Sequence, residues 1–302
     1  MNPYSYPNVK PHFNLRLEEA TRRWSRYEVD FPIAQATCYE ENNTARGEFF
    51  RPSQGNNSPL AILIHGWGDH SVIPCKLLAR ALVRKGIACF ILYLVFHSSR
   101  MPKTIRERLP HLTPEEWFEG YKISVVDVRQ ILDWASRTGE INEKQIAVVG
   151  ISLGGFIAAI SMGIDERISA GVLLVSGGNY ESPAWAKKKR DSHKEAEHCE
   201  DEKFYLQYLT EVAEKGLENV PPVKKSYLTD PMTFAFYLRQ RPLLMINALR
   251  DKYIPKQATL DFWRACGKPD IRWFPTGHTS IWLLYPLIRK QIIDFLGSTF
   301  KI

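Results

Sequence analysis

At 302 residues the chain can hold one large domain or two small ones, and 44% hydrophobic with 24% charged side chains is a globular balance that excludes wholesale disorder. The formal net charge of +7 raises the question of a polyanionic partner, but the basic residues are scattered along the chain. The one dense run, Lys187-Lys188-Lys189-Arg190, is followed by Asp191, Glu195, Glu197, Glu200, Asp201 and Glu202 and reads as a charge-mixed solvated helix, so no nucleic-acid partner is expected.

Residues 1 to about 25 begin polar and proline-containing, and the stretch from Leu17 to Trp24 is expected to be a helix covering one edge of the fold. Tyr27–Ile33 and Arg46–Arg51 alternate as two antiparallel strands, separated by the polar turn Glu41-Asn42-Asn43. After a surface turn over 52–59, Leu60-Ala61-Ile62-Leu63-Ile64 is a continuous apolar run of the kind buried on both faces of a sheet, and it ends at His65-Gly66-Trp67-Gly68-Asp69-His70. A helix is expected from about Pro74 to Lys85, closed by Gly86, and Ile87–Val95 is another buried strand. Thr113-Pro114-Glu115-Glu116 combines an N-cap, a proline at the first helical position and a capping-box glutamate. Trp117, Tyr121, Ser124, Val125, Val128, Leu132 and Ala135 then share one face at helical spacing.

Ala147-Val148-Val149 runs into Gly150-Ile151-Ser152-Leu153-Gly154-Gly155 and an apolar helix from Phe156. Such a strand-to-helix turn holds its serine in a strained conformation with the hydroxyl exposed, and the flanking glycines are needed because a Cβ would collide with the neighbouring elements. Ala170–Val175 and Pro242–Asn247 are further strands. The 178–240 segment between them is charge-rich, with Phe204, Tyr208, Leu209 and Val212 on one face, and is too long for a plain loop. Asp261–Ala265 reads as part of a helix, Ile271–Phe274 as a last strand and Pro286–Phe295 as a terminal amphipathic helix. The alternation of strands and helices predicts an α/β fold with a mostly parallel sheet and helices on both faces. Its core spans 1–177 and 241–302, with 178–240 as a helical cap insertion.

A serine at its ordinary pKa is a weak nucleophile and needs a base, an orienting acid and an oxyanion hole. Asp251 follows one buried strand and His278 follows the last, so the order is Ser, Asp, His with each residue at a strand end, where ligands bind in open parallel sheets. Ser152, Asp251 and His278 are therefore the candidate triad. The amides of Trp67 and Leu153 are the candidate oxyanion donors, with Gly66 and Gly68 letting the loop approach the substrate carbonyl. His97 and Arg100 stand at the same sheet edge and either touch a substrate carboxylate or anchor a loop. Tyr180 and Trp185 either line the pocket or pack the insertion. His193 and His198 lack the spacing of a His-Glu-x-x-His zinc motif.

With these motifs in place the chain resembles the α/β-hydrolase superfamily over residues 27–300. The double glycine after the serine and Asp133-Trp134 at the end of the preceding helix are most similar to the dienelactone hydrolase and prolyl-oligopeptidase-like branches. Serine at the nucleophile position departs from the cysteine of the dienelactone enzymes and from the aspartate of dehalogenases and epoxide hydrolases. The resemblance implies hydrolysis of a small-molecule ester through an acyl-enzyme, with no metal and no cofactor. A peptidase or acyltransferase on the same machinery, a non-catalytic ligand-binding homologue and a homodimer all stay open. Cys38, Cys75, Cys89, Cys199 and Cys266 lack zinc-site spacing and read as reduced thiols. No apolar run approaches the roughly 18 residues of a membrane span, and Met1–Pro7 does not resemble a signal peptide. A soluble cytoplasmic protein with no membrane partner is the expectation.

Overall fold

The computed structural model describes residues 2–7, 11–53, 56–68, 72–108, 111–189 and 192–302, and among these the side chains at 186, 188, 189 and 192–199 are left aside. The centre of the surface turn at 54–55, Asp69 and His70, most of the charge-mixed run around 188–197, His193, His198 and Cys199 therefore lie outside the described residues or side chains.

The strands are β1 (Asn14–Ala20), β2 (Trp24–Pro32), β3 (Thr44–Pro52), β4 (Ser58–Ile64), β5 (Ala88–Tyr93), β6 (Ile141–Ile151), β7 (Ala170–Leu174), β8 (Leu243–Ala248) and β9 (Asp270–Phe274). Among the described residues they form one nine-stranded sheet in the order β1-β2-β3-β5-β4-β6-β7-β8-β9. The pairings from β1 through β3 to β5 are antiparallel, and those from β5 through β4 to β9 are parallel. The helices are α1 (Val72–Val83), α2 (Lys103–Arg106), α3 (Pro114–Thr138), α4 (Leu153–Ile164), α5 (Pro183–Lys189), α6 (Ser192–Lys215), α7 (Ser226–Thr229), α8 (Ala235–Leu238), α9 (Lys256–Ala265) and α10 (Tyr285–Phe300). One apolar core joins a sheet face to α3, α4, α8 and α9, and a second joins the opposite face to α1 and α10. Every residue of β4, β7 and β8 is buried, as the uninterrupted apolar runs require once helices cover both faces.

Local signals place α3 well. Thr113 and Glu116 form the reciprocal capping box, and Gly139 ends the helix at φ 65°. The expected helix at Leu17–Trp24 is instead an edge strand followed by the first residue of β2. Most side chains of β1 face solvent, and its order comes from backbone pairing of Asn14 to Asp30 through Ala20 to Ser25, a long-range term that local spacing does not display. In α6 the expected face holds at Tyr208, Leu209 and Val212, which pack near Tyr227, whereas Phe204 is 63% exposed and Tyr205 takes its place in the buried stripe. The 178–240 segment holds α5 to α8 between β7 and β8.

The helix after Ser152 lies unusually close to the sheet. A Cβ on Gly154 would stand 2.1 Å from the Ile64 carbonyl oxygen and 2.5 Å from that of His65, while one on Gly120 would meet only the Phe96 ring edge at 3.3 Å. Gly154→Ala is expected to lower the unfolding free energy by about 3 kcal/mol or more. Gly120→Ala, which gains helix propensity, should stay within about 1 kcal/mol of the parent. Urea midpoints of the two variants check this contrast.

Candidate active site

Ser152 caps α4 with φ 54° and ψ −116°, a backbone conformation that a non-glycine residue holds only when its surroundings enforce it. Its N–H donates to the Leu174 carbonyl at 2.8 Å, and its own carbonyl accepts the amides of Gly155 and Phe156 at 2.8 and 3.2 Å. The backbone is fully engaged, and the hydroxyl is left at the carboxyl edge of the sheet beside the positive end of a 12-residue helix. A Cβ on Gly150 would come within 2.2 Å of the Gly154 carbonyl oxygen, so both flanking glycines are steric requirements of the turn.

The loops after β8 and β9 bring two further side chains to this hydroxyl. His278 Nε2 lies 2.9 Å from Ser152 Oγ, and its Nδ1 lies 2.7 Å from Asp251 Oδ2. A carboxylate can only accept, so Nδ1 carries the proton and Nε2 presents its lone pair to the serine hydroxyl. Asp251 divides its work between its oxygens. Oδ1 accepts the amides of Tyr253 and Ile254 at 2.8 and 2.9 Å, closing the turn, and Oδ2 is left to orient the imidazole. Tyr253 packs edge-on against the His278 ring at 5.1 Å. Its side chain is 66% exposed and its only sequence signal is proximity to Asp251.

The loop after β4 lies against the serine turn, since a Cβ on Gly66 would stand 3.3 Å from that of Ser152. Buried His65 sets its orientation. His65 Nε2 accepts the Leu94 amide at 3.1 Å, so Nδ1 is the protonated nitrogen and donates to the Gly66 carbonyl at 2.7 Å. With that carbonyl turned toward His65, the Trp67 N–H across the trans peptide points the opposite way. Burial, aided by the neighbouring His97, lowers the His65 pKa from 6.5 to about 3 and keeps the ring neutral. Gly68 adopts φ 104° next in the loop.

The other expected pocket residues divide. Arg100 is fully buried. It bonds Asp127 Oδ2 at 2.7 Å and the carbonyls of Tyr93 and Asn42 at 2.8 and 3.0 Å, so it anchors the loop after β5 and does not face a substrate. His97 is also buried and supports Trp67 from beneath, ring edge to ring face at 4.9 Å. Tyr180 packs on Phe156 of α4 and lines a cavity of about 340 Å³. Trp185 donates to the Asn179 carbonyl at 2.9 Å and packs against Tyr180, so it braces that wall. Trp117, by spacing a member of a helix face, has its ring 5.2 Å from Trp67 and walls the same cavity. The exposure of that tryptophan at the first turn of α3 is decided by the fold and not by its spacing.

The family described as Alpha/beta hydrolase domain containing 18 matches residues 17–187, a span that includes the His65–Gly68 loop and Ser152. The chain belongs to this family. A curated relative, the uncharacterized protein Rv2627c of Mycobacterium tuberculosis (strain ATCC 25618 / H37Rv), is 25% identical over 172 residues. That match spans 56% of this chain and only 36% of the relative's length. Among solved structures, an acetyl xylan esterase from Paenibacillus sp. R4 superposes with a TM-score of 0.68 at 18% identity, covering 95% of this chain and 89% of that one. A cold-adapted esterase from an Arctic intertidal metagenomic library gives 0.61 at 16% identity, covering 94% and 98%. The α/β hydrolase GrgF from Penicillium sp. sh18 gives 0.61 at 17%, covering 92% and 99%. These likenesses carry the fold. No helix among the described residues is long and apolar enough to cross a membrane.

Two buried groups behind the site have measurable consequences. His65 titrates at 6.5 when unfolded and near 3 when folded, so its contribution to stability is complete above pH 6.5 and is lost as pH falls from there toward 3. Urea midpoints between pH 7.5 and 4.5 should fall more steeply for the parent than for His65→Gln. Burial raises the Asp127 carboxyl pKa against the pull of Arg100. Arg100→Ala strands that carboxylate and is expected to cost about 3–5 kcal/mol of unfolding free energy. The paired change Arg100→Met with Asp127→Leu should recover most of that loss.

Proposed function

We propose that the chain is a serine hydrolase of carboxylic esters, with Ser152 as nucleophile, His278 as general base and acid, and Asp251 as the orienting carboxylate. The observation that carries this reading is the continuous hydrogen-bonded line from Asp251 through His278 to Ser152, 2.7 and 2.9 Å per step, ending on a strained serine. Two structural neighbours, the acetyl xylan esterase and the cold-adapted esterase, are in keeping with it.

Ser152 Oγ attacks the ester carbonyl as its proton passes to His278 Nε2, and Asp251 stabilises the imidazolium so formed. The carbonyl oxygen becomes an oxyanion between the Leu153 amide, first in α4, and the Trp67 amide. His65 has already fixed the Trp67 amide, so little reorganisation accompanies the charge. Collapse expels the alkoxide, which takes the proton from His278 and leaves an acyl-serine. Water then repeats the sequence with His278 as base, releasing the acid and restoring the serine. The 178–240 insertion acts as a cap over this edge, contributing Tyr180 to the substrate cavity.

Ser152→Ala should reduce hydrolysis of a short-chain p-nitrophenyl ester by roughly 1,000-fold to 1,000,000-fold without changing the unfolding midpoint. The parent should take up one fluorophosphonate per chain, located on Ser152 by peptide mass. Unlabelled protein with no ester turnover would identify a ligand-binding homologue, and turnover that survives Ser152→Ala would move the nucleophile elsewhere.

A further inference from the structure

This inference rests on attack at Ser152 and concerns the part of the substrate that extends beyond the scissile carbonyl. The cavity of about 340 Å³ is walled by Trp117 and Tyr121 of α3 and by Tyr180, Lys225, Ser226 and Thr229 from the insertion. Trp117 and Tyr121 also wall a void of about 20 Å³ that Trp67 and Leu153 line from the other side. Trp117 and Tyr121 therefore border both spaces. Trp67 and Trp117, 41% and 38% exposed, lie with ring centroids 5.2 Å apart and planes inclined by 30°, an aromatic pair whose one member borders the cavity and whose other follows Gly66, the residue that abuts Ser152. Aromatic faces favour offset or edge-on packing by another ring. A volume at the lower end of small-ligand pockets suits a substituted single ring better than a long chain.

Charge selects the substituent. Lys225 is the charged side chain on the cavity lining. The adjacent Lys224 is committed to Glu181 and Asp201 at 3.2 and 2.8 Å, within the insertion. Lys225 meets Glu115 at 3.9 Å with both side chains more than half exposed, a contact weakened by solvent that an incoming anion can displace. The hydroxyls of Ser226 and Thr229 beside it already donate to Glu181 Oε1 at 3.5 Å and to the Ser226 carbonyl at 3.0 Å, which leaves Lys225 as the group that selects charge. We propose that the substrate is an ester with a flat aromatic arm bearing an anionic group, the ring on the Trp67–Trp117 pair and the anion at Lys225, which makes Lys225 a specificity-determining residue.

Binding to Ser152→Ala protein, followed by calorimetry or by quenching of tryptophan fluorescence, tests this without requiring turnover. Two matched pairs cover both orientations of the ester: phenyl acetate with 4-carboxyphenyl acetate, and methyl benzoate with monomethyl terephthalate. In at least one pair the carboxylate member should bind roughly threefold to tenfold more tightly, a preference that shrinks as salt is raised. Lys225→Ala should bring the affinity ratio of that pair close to one, Lys225→Glu should invert it, and Glu115→Gln should widen it. Equal affinities within both pairs, or a preference that survives Lys225→Ala, overturns the proposal. The fluorophosphonate and ester assays judge Ser152 independently of these ratios.

Discussion

Much of this molecule depends on the turn between β6 and α4, where a serine with positive φ is held by contacts that leave no room for a side chain on either flank. Gly154 rests on the carbonyls that end β4, Gly155 would meet Ser176 at the end of β7, and the Ser152 amide is tied to Leu174. The strain is thus balanced by the two neighbouring strands, β4 and β7, and not by the turn itself. The same edge collects other non-glycine residues at positive φ: Phe96 and Ser98 after β5, Val175 and Asn179 after β7. Each costs of order 1–3 kcal/mol and persists only where the surroundings over-determine it. Their grouping at the carboxyl ends of β5, β6 and β7 marks that edge as the part of the fold where geometry takes precedence over stability.

Around that turn, partially buried polar groups are used for orientation. Asp251 spends one oxygen on its own loop and the other on His278, so the position of the carboxylate and the direction of the imidazole are fixed together. His65 does the same for the opposite loop, with one nitrogen taking the Leu94 amide and the other holding the Gly66 carbonyl. In both cases a side chain with two functional atoms joins backbone to function. Such joints tolerate little movement, because releasing either bond leaves a buried group unsatisfied.

Much of this was legible in the sequence where the signal is local. The apolar run Leu60–Ile64, the Thr113–Glu116 capping box and Gly150–Gly154 each specify their element within a few residues. Ser152, Asp251 and His278 could be named because each sits just past a readable strand. The misreadings share a long-range cause. β1 is ordered by pairing with β2, so Leu17 can be exposed in a strand while its spacing resembles a helix. In α6 the choice of Tyr205 over Phe204 is made by Tyr227, some 20 residues away in sequence. Arg100 looked available for a substrate because its partner Asp127 lies on a different element, in the middle of α3.

The insertion between β7 and β8 is tied at both of its ends by one buried side chain. The Asp230 carboxylate is buried, and it accepts the amides of Asn179 and Tyr180 at 3.0 and 2.5 Å from the outgoing end and that of Met232 at 2.9 Å from the returning end. One side chain therefore clamps both ends of the excursion. The clamp fixes Tyr180, and Tyr180 packs on Phe156 of the helix that carries Ser152. The excursion is anchored elsewhere as well, by the Tyr4 hydroxyl donating to the Leu228 carbonyl and by Lys225 meeting Glu115 of α3, so the strained serine turn and the insertion are held by the same surrounding elements.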